Sequence, residues 1–160
     1  MEFRPRRALA VLSEGDVRFV VVGGIAAAML GSMRETTDLD VIVDRSQDNL
    51  ARLAAVLTQL GARVKGSVRP PVAIAPALLE GMTLVTFETD AGEVDVLMVG
   101  KGGWTYEQII DGAETVDVAG KPVRLISVDD LIAMKRAAGR PKDMETAAEL
   151  EALKGLQEHG

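Results

Sequence analysis

Residues 17–43, VRFVVVGGIAAAMLGSMRETTDLDVIV, decide the fold of this chain. An apolar run rich in valine leads into two glycines, Gly23 and Gly24, and a later β-branched run opens with two acids one residue apart, Asp38 and Asp40. Because side chains alternate across a strand, both acids project from the same face of that second run. The stretch therefore predicts a strand, a tight turn, a short helix and an acid-bearing strand, in that order.

Two carboxylates this close together repel each other, and a divalent cation relieves the repulsion. A hard cation such as Mg²⁺ takes oxygen ligands and commonly arrives with phosphates. A bare Asp-x-Asp pair is also typical of a solvated strand edge, so the pair needs a structural context. Three features supply it: the diglycine after an apolar strand, the helical character of residues 25–33, and a further acid, Asp95, in the predicted strand at residues 93–99.

The order of these features resembles the minimal nucleotidyltransferases of the polymerase-beta-like superfamily, particularly the small prokaryotic branch with toxin–antitoxin and abortive-infection members. The Arg-x-Thr-x-Asp-x-Asp form at residues 34–40 and the tail at residues 129–143 resemble that branch, and the likeness spans residues 17–150. It implies an α+β fold: a mixed β-sheet with helices packed mainly on one face, followed by C-terminal helices.

The resemblance also implies a catalytic site with three acids. Asp38, Asp40 and Asp95 would bind Mg²⁺ or Mn²⁺, and Asp95 would deprotonate or orient the attacking hydroxyl, as in metal-assisted phosphoryl transfer. Glu93 lies two residues before Asp95, on the same strand face, and is the alternative third acid.

Five further residues are expected to hold the triphosphate of an NTP. Gly23 and Gly24 allow backbone amides to approach phosphates closely. Arg34 and Lys135 offer positive charge, although a surface arginine and a cation near a helix end are the structural alternatives. Many superfamily members carry a serine where this chain has Gly24, so the backbone or Ser32 would have to replace that contact.

Length, charge and composition limit the remaining possibilities. A chain of 160 residues predicts one domain, residues 1–160, with a core at about 17–126 and a C-terminal helical segment at about 127–157. The net charge of −6 argues against broad nucleic-acid coating. The chain has no cysteine, and its single histidine, His159, lies next to the C-terminus, which argues against thiolate and histidine catalysis. No apolar run reaches transmembrane length, so we expect a cytoplasmic protein with no membrane partner.

Periodicity and turn residues place the other elements. Ser46 is predicted to cap a helix that Gly61 ends, and Ser127 to cap the first of two C-terminal helices, which are separated at residues 139–141. The remaining expectations are helices at residues 4–13 and 104–110, irregular chain at 69–71, and hairpins that pair 82–88 with 94–99 and 114–118 with 123–126.

The leading functional hypothesis is an enzyme that transfers a nucleoside monophosphate from an NTP to an unidentified acceptor hydroxyl on RNA, protein or a small molecule. One alternative is a catalytically decayed nucleotide-binding module, or an interaction module with a toxin–antitoxin partner protein. Another is an antibiotic-modifying transferase, for which the helices after Ser127 would form a short acceptor segment. A transferase that modifies a partner toxin is a further alternative, and the sequence does not choose among these acceptors.

Overall fold

The computed structural model describes residues 2–68 and 73–159, and these form a mixed sheet with surrounding helices. The strands are β1 Phe19–Val22, β2 Asp38–Val43, β3 Arg63–Val64, β4 Leu84–Thr89, β5 Gly92–Leu97, β6 Glu114–Val118 and β7 Lys121–Leu125. The helices are α1 Pro5–Glu14, α2 Gly23–Met29, α3 Gln47–Gln59, α4 Pro76–Glu80, α5 Tyr106–Ile109, α6 Val128–Ala138 and α7 Pro141–His159. The sheet order is β3-β4-β5-β2-β1-β7-β6, which confirms the α+β prediction. Within the described ranges, no helix is both long and apolar enough to cross a bilayer.

The register of the three central strands positions the acids. β1 and β2 run antiparallel, with Val22 opposite Asp40. β2 and β5 run parallel, with Asp40 opposite Asp95 and Asp38 opposite Glu93. Paired residues on neighbouring strands share a face of the sheet, so acids that are 55 residues apart in sequence become neighbours.

The opposite face of β2 and of the neighbouring strands forms the core. Leu39 and Val41 of β2 and Phe87 of β4 are completely buried, and they belong to a hydrophobic cluster that includes Leu12 of α1 and Leu53 of α3. Full burial of one such side chain stabilises the fold by about 1.5–3 kcal/mol. Because a slip of one residue would turn these side chains to the other face, their burial fixes the register that brings the acids together.

The two C-terminal helices follow the predicted pattern. Ser127 caps α6, since its hydroxyl accepts a hydrogen bond from the backbone N–H of Asp130 at 3.1 Å. Gly139 ends α6 in the left-handed region, with φ of 70°, and Pro141 opens α7. At this break the chain reverses direction, so that α7 packs against α6. The first turn of α7 then lies close to β2 and the acids.

Some expectations differ from the structure. β3 and α4 were not predicted, because elements of two and five residues are too short to show a period. Ser46 is at the N-cap position of α3 as predicted, but its hydroxyl accepts a hydrogen bond from Arg18 at 2.7 Å and makes no capping bond. The irregular stretch expected at residues 69–71 lies outside the described residues.

Candidate active site

Three half-buried carboxylates meet at one face of the sheet. Asp38 and Asp40 from β2 and Asp95 from β5 each offer an oxygen, and these oxygens lie within 4.8 Å of one another. The structure thus brings together the three acids that the sequence singled out. Glu93 is outside this cluster, and its carboxylate forms an ion pair with Lys65 at 2.5 Å.

The electrostatics of the cluster favour a cation. Burial and the neighbouring Asp95 carboxyl raise the pKa of Asp40 to about 8, and the same two causes raise the pKa of Asp38. The Oδ1 atom of Asp95 is buried and has no hydrogen-bond partner among the described residues. A divalent cation would supply both the missing partner and the compensating charge. The three acids therefore fit Mg²⁺ or Mn²⁺, which prefer oxygen ligands.

The diglycine turn lies directly against the acids. Gly23 has a φ of +68°, and a Cβ atom at this position would lie 2.0 Å from Oδ2 of Asp40. Any larger residue would therefore be strained and would displace a carboxylate. A Cβ atom on Gly24 would lie 2.6 Å from Oγ1 of Thr36. The turn therefore lies so close to the acid-bearing strand and the loop before it that only glycine fits at both positions.

Two cations approach the acids from the start of α7 and the end of α6. Asp143 is 1% exposed, accepts a hydrogen bond from Nε of Arg140 at 2.6 Å, and lies 3.6 Å from Nζ of Lys135. Although burial alone would raise the pKa of Asp143, the hydrogen bond from Arg140 lowers it below the usual value. Asp143 therefore stays ionised and holds both cations beside the acid cluster.

The loop before β2 is tied to α7. The Ser32 hydroxyl donates to Oε1 of Glu149 at 2.5 Å, and the backbone N–H of Met33 donates to Oε2 at 3.1 Å. Arg34 pairs with Glu145 at 2.9 Å and lies 3.9 Å from Glu149. Ser32 and Arg34 thus line the cleft beside the acids, but their polar side-chain groups contact glutamates.

The cleft around the acids has two lobes. We call the first the strand lobe; it has a volume of about 270 Å³ and is lined by Asp95, Leu84, Leu97, Lys101 and Met134, among others. The second, the loop lobe, has a volume of about 200 Å³ and is lined by Gly24, Ser32, Arg34, Thr36 and Lys142, among others. Five of the described residues line both lobes: Asp38, Asp40, Lys135, Arg140 and Asp143. The acids therefore lie where the lobes join.

Sequence reasoning missed several of these residues. Glu145 and Glu149 are four apart on α7, which places them on one helix face, but the sequence gives no sign that this face meets Arg34. Leu84 and Lys101 were also missed, because a leucine at a strand edge and a lysine in a glycine-rich turn carry no functional pattern.

With this geometry in place, the family can be assigned. The sequence profile of the aminoglycoside-2''-adenylyltransferase family matches residues 6–150. The chain belongs to this family. It is therefore an enzyme of the nucleotidyltransferase class, as the sequence predicted. The toxin–antitoxin branch is not shown by this match and stays a prediction.

Solved structures of nucleotidyltransferases share the family's fold. The antibiotic-resistance factor ANT(2'')-Ia is 19% identical, with a TM-score of 0.57 over 97% of this chain and 89% of that chain. The lincosamide adenylyltransferase LnuA is 13% identical, with a TM-score of 0.61 over 92% and 94%. A nucleotidyltransferase-like protein from Paracoccidioides brasiliensis is 15% identical, with a TM-score of 0.58 over 94% and 75%. These likenesses show the fold, and no curated protein sequence matches the chain.

Proposed function

We propose that this chain transfers a nucleoside monophosphate from an NTP to an acceptor hydroxyl and releases pyrophosphate, using Mg²⁺ or Mn²⁺ held by Asp38, Asp40 and Asp95. The observation that carries the proposal is the acid cluster, whose oxygens lie within 4.8 Å of one another and in which one buried oxygen has no partner among the described residues. Because the matched family is one of adenylyltransferases, we take ATP as the donor.

The loop lobe is the side that suits the triphosphate. The bound cation would neutralise phosphate charge and polarise the reacting phosphoryl group. Arg34 and Lys142 line this lobe, and Lys135 and Arg140 border it where it meets the acids. Arg34 would exchange its exposed ion pair with Glu145 for phosphate oxygens, which match the guanidinium fork.

The strand lobe is the side that suits the acceptor. Asp95 lines this lobe and not the loop lobe, so its carboxylate faces a hydroxyl that enters there. The acceptor oxygen would form a bond to the α-phosphorus, the bond to the pyrophosphate oxygen would break, and the hydroxyl proton would pass to Asp95. Asp38 and Asp40 lie between the two lobes, where the reacting phosphorus would sit.

A small molecule is our choice among RNA, protein and small-molecule acceptors. ANT(2'')-Ia has been solved in complex with adenylyl-2''-tobramycin, and LnuA with lincomycin bound. A strand lobe of about 270 Å³ also suits part of a compact molecule better than an extended polymer.

The second candidate is a nucleotide-binding module that has lost transfer, with or without a toxin–antitoxin partner. The observation that favours it is the engagement of Ser32 and Arg34 by glutamates, together with the missing side chain at Gly24. Such a module would bind a nucleotide and release no pyrophosphate.

A transfer assay separates the two candidates. Wild-type protein and the Asp40→Asn variant are incubated with α-labelled ATP, Mg²⁺ and fractionated small-molecule extract, and both labelled acceptor and pyrophosphate are measured. We expect label and pyrophosphate in equal amounts with the wild type and neither with Asp40→Asn. A wild type that binds ATP but matches Asp40→Asn against every fraction would establish the binding module instead.

A further inference from the structure

The described lining of the strand lobe has no carboxylate that is free to pair with a positively charged acceptor. Among its described lining residues, three of the four acids are the proposed metal ligands. The fourth, Asp143, is 1% exposed and already bound by Arg140 and Lys135. On the same face of the sheet, Glu93 pairs with Lys65 at 2.5 Å and Glu88 with Arg63 at 3.4 Å.

The rest of the strand lobe is cationic and apolar. Lys101 is exposed and, within the described residues, has no carboxylate within 4.0 Å. Leu84, Leu97 and Met134 supply apolar surface, and Leu84 is 47% exposed at its position opposite Leu97. A ligand that enters this lobe therefore meets hydrocarbon and positive charge.

We propose that the acceptor is a neutral or anionic hydroxyl compound with an apolar part, and that polycationic aminoglycosides are excluded in spite of the family's description. An ammonium group that leaves water needs a carboxylate partner, and none of the described carboxylates of the lobe is free to serve as one. Lys101, which has no carboxylate partner among the described residues, would in addition repel it. This inference rests on the proposed function, because it takes the strand lobe as the acceptor side.

Calorimetry with tobramycin as the polycationic probe tests the exclusion. The protein is first saturated with Mg²⁺ and the non-hydrolysable analogue α,β-methylene-ATP at about 0.15 M salt. We expect tobramycin to bind the wild type more weakly than about 1 mM, and Lys101→Glu to bind it about fivefold more tightly. Lys121→Glu is the control, because Lys121 lies on β7, outside both lobes, and pairs with Glu14.

Labelled transfer to pooled hydroxyl compounds, sorted by charge, tests the preference. We expect product from the neutral or anionic pools. Micromolar tobramycin binding to the wild type, or product from the polycationic pool alone, would overturn the inference, as would a Lys101→Glu variant that behaves like Lys121→Glu. Failure to bind Mg²⁺ with the nucleotide analogue would instead overturn the proposed function.

A second inference concerns Thr36 and rests on a different observation. Among the described residues, three hydroxyl groups line the loop lobe. Two of them are buried and engaged: Ser32 donates to Glu149 at 2.5 Å, and Thr146 donates to the backbone carbonyl of Lys142 at 3.0 Å. Thr36 is half-buried, and its only described bond is a long one of 3.2 Å to the carbonyl oxygen of Asp38.

The space in front of Thr36 is open because residue 24 is glycine. A Cβ atom on Gly24 would lie 2.6 Å from Oγ1 and 2.9 Å from Cβ of Thr36, so a side chain there and the threonine exclude each other. We infer that the Thr36 hydroxyl donates a hydrogen bond to a phosphate oxygen of the bound NTP. This too rests on the proposed function, since it takes the loop lobe as the phosphate side.

Binding of Mg²⁺-ATP to a set of variants tests the role of Thr36. Thr36→Val keeps the shape and removes the hydroxyl, and we expect about tenfold weaker binding. Thr36→Ser should bind like the wild type, and so should the control Thr37→Val, since Thr37 is exposed and lines neither lobe. The swap Gly24→Ser with Thr36→Gly should recover most of the affinity that Thr36→Gly alone loses.

Each result bears on a separate claim. Thr36→Val with wild-type affinity, or a swap that binds no better than Thr36→Gly, would overturn the role of the hydroxyl. Melting temperatures show whether a variant has lost its fold. If Thr36→Val is unfolded, Thr36→Ser still tests the role of the hydroxyl, because it keeps that group and should bind like the wild type. A wild type that does not bind Mg²⁺-ATP would sink the proposed function itself.

Discussion

The two ends of strand β2 treat their acids in opposite ways. Asp44, directly after the strand, accepts hydrogen bonds from Nε of Arg18 at 2.6 Å and from the backbone N–H of Ser46 at 3.1 Å. Burial alone would raise the pKa of Asp44, but the Arg18 hydrogen bond lowers it. At the other end, burial and the Asp95 carboxyl raise the pKa of Asp40 to about 8. An acid that pairs with a basic side chain of the protein stabilises the fold. An acid that has no such partner is suited to bind a ligand or metal ion.

Buried polar atoms show the same difference. Asn49 is completely buried near Asp44, and its side chain accepts from the backbone N–H of Arg18 and donates to the carbonyl oxygens of Arg18 and Asp44. At the acid cluster, the buried Oδ1 of Asp95 has no described partner. Since proteins normally pair their buried polar atoms, the incomplete end of the strand is the end where a ligand is expected.

The largest expected effect comes from replacing the acid at each end of β2 in turn. We expect Asp40→Asn to reduce nucleotidyl transfer to background. We also expect it to raise the melting temperature of the metal-free protein above about pH 8, where the wild-type Asp40 carboxyl is ionised and repels its acidic neighbours. Asp44→Asn should leave transfer near the wild-type rate and lower the free energy of unfolding by about 1 kcal/mol. Transfer rates and thermal melts of both variants provide the check. Normal turnover in Asp40→Asn would show that this acid does not bind the metal.

The two acids of β5, Asp95 and Glu93, should differ in their effect on transfer. We expect Asp95→Asn to slow transfer by about two orders of magnitude, the usual cost of losing a general base, while much of the NTP affinity is kept. Glu93→Gln should stay active, because its carboxylate is engaged by Lys65 outside the cluster. Transfer rates beside calorimetric NTP affinity measure this split. An active Asp95→Asn with an inactive Glu93→Gln would make Glu93 the third acid.

The last expected effect concerns stability alone, through its dependence on pH. The pKa of Asp40 is raised on folding, so the folded chain holds a proton that the unfolded chain releases above about pH 4. Stability of the metal-free protein should therefore fall as pH rises from about 4 to about 8, by at most about 1.4 kcal/mol per pH unit. Asp44 acts in the opposite sense and only at lower pH, because its pKa is lowered.

Urea unfolding at about pH 5 and about pH 8, with EDTA present, measures this slope. Asp40→Asn should flatten it and Asp44→Asn should not. A wild type that grows more stable across this range would contradict the raised pKa of Asp40.

Sequence patterns were sufficient to predict which acids meet at the start of β2. Alternation along β2 placed Asp38 and Asp40 on one face, and a second valine-rich strand supplied Asp95. These are local signals of period and residue type, and the hydrophobic pattern that reveals the strands also fixes their register. The Ser127 cap and the helix break at Gly139 were readable for the same reason.

Contacts between distant segments were not readable from the sequence. The bond from Ser32 to Glu149 joins residues 117 apart, and nothing local to either residue predicts it. The same holds at the other end of β2, where Arg18 takes the Ser46 hydroxyl that was predicted to cap α3. Such side chains choose among several partners, and only the packed structure decides which one is near enough.

The metal dependence of nucleotide binding tests the central claim most directly. ATP is titrated calorimetrically into the wild-type protein with Mg²⁺, with Mn²⁺ and with EDTA. We predict saturable binding with either cation and none with EDTA, because Asp38, Asp40 and Asp95 repel a triphosphate unless a cation lies between them. Equal ATP affinity with and without EDTA would contradict a metal-bridged site.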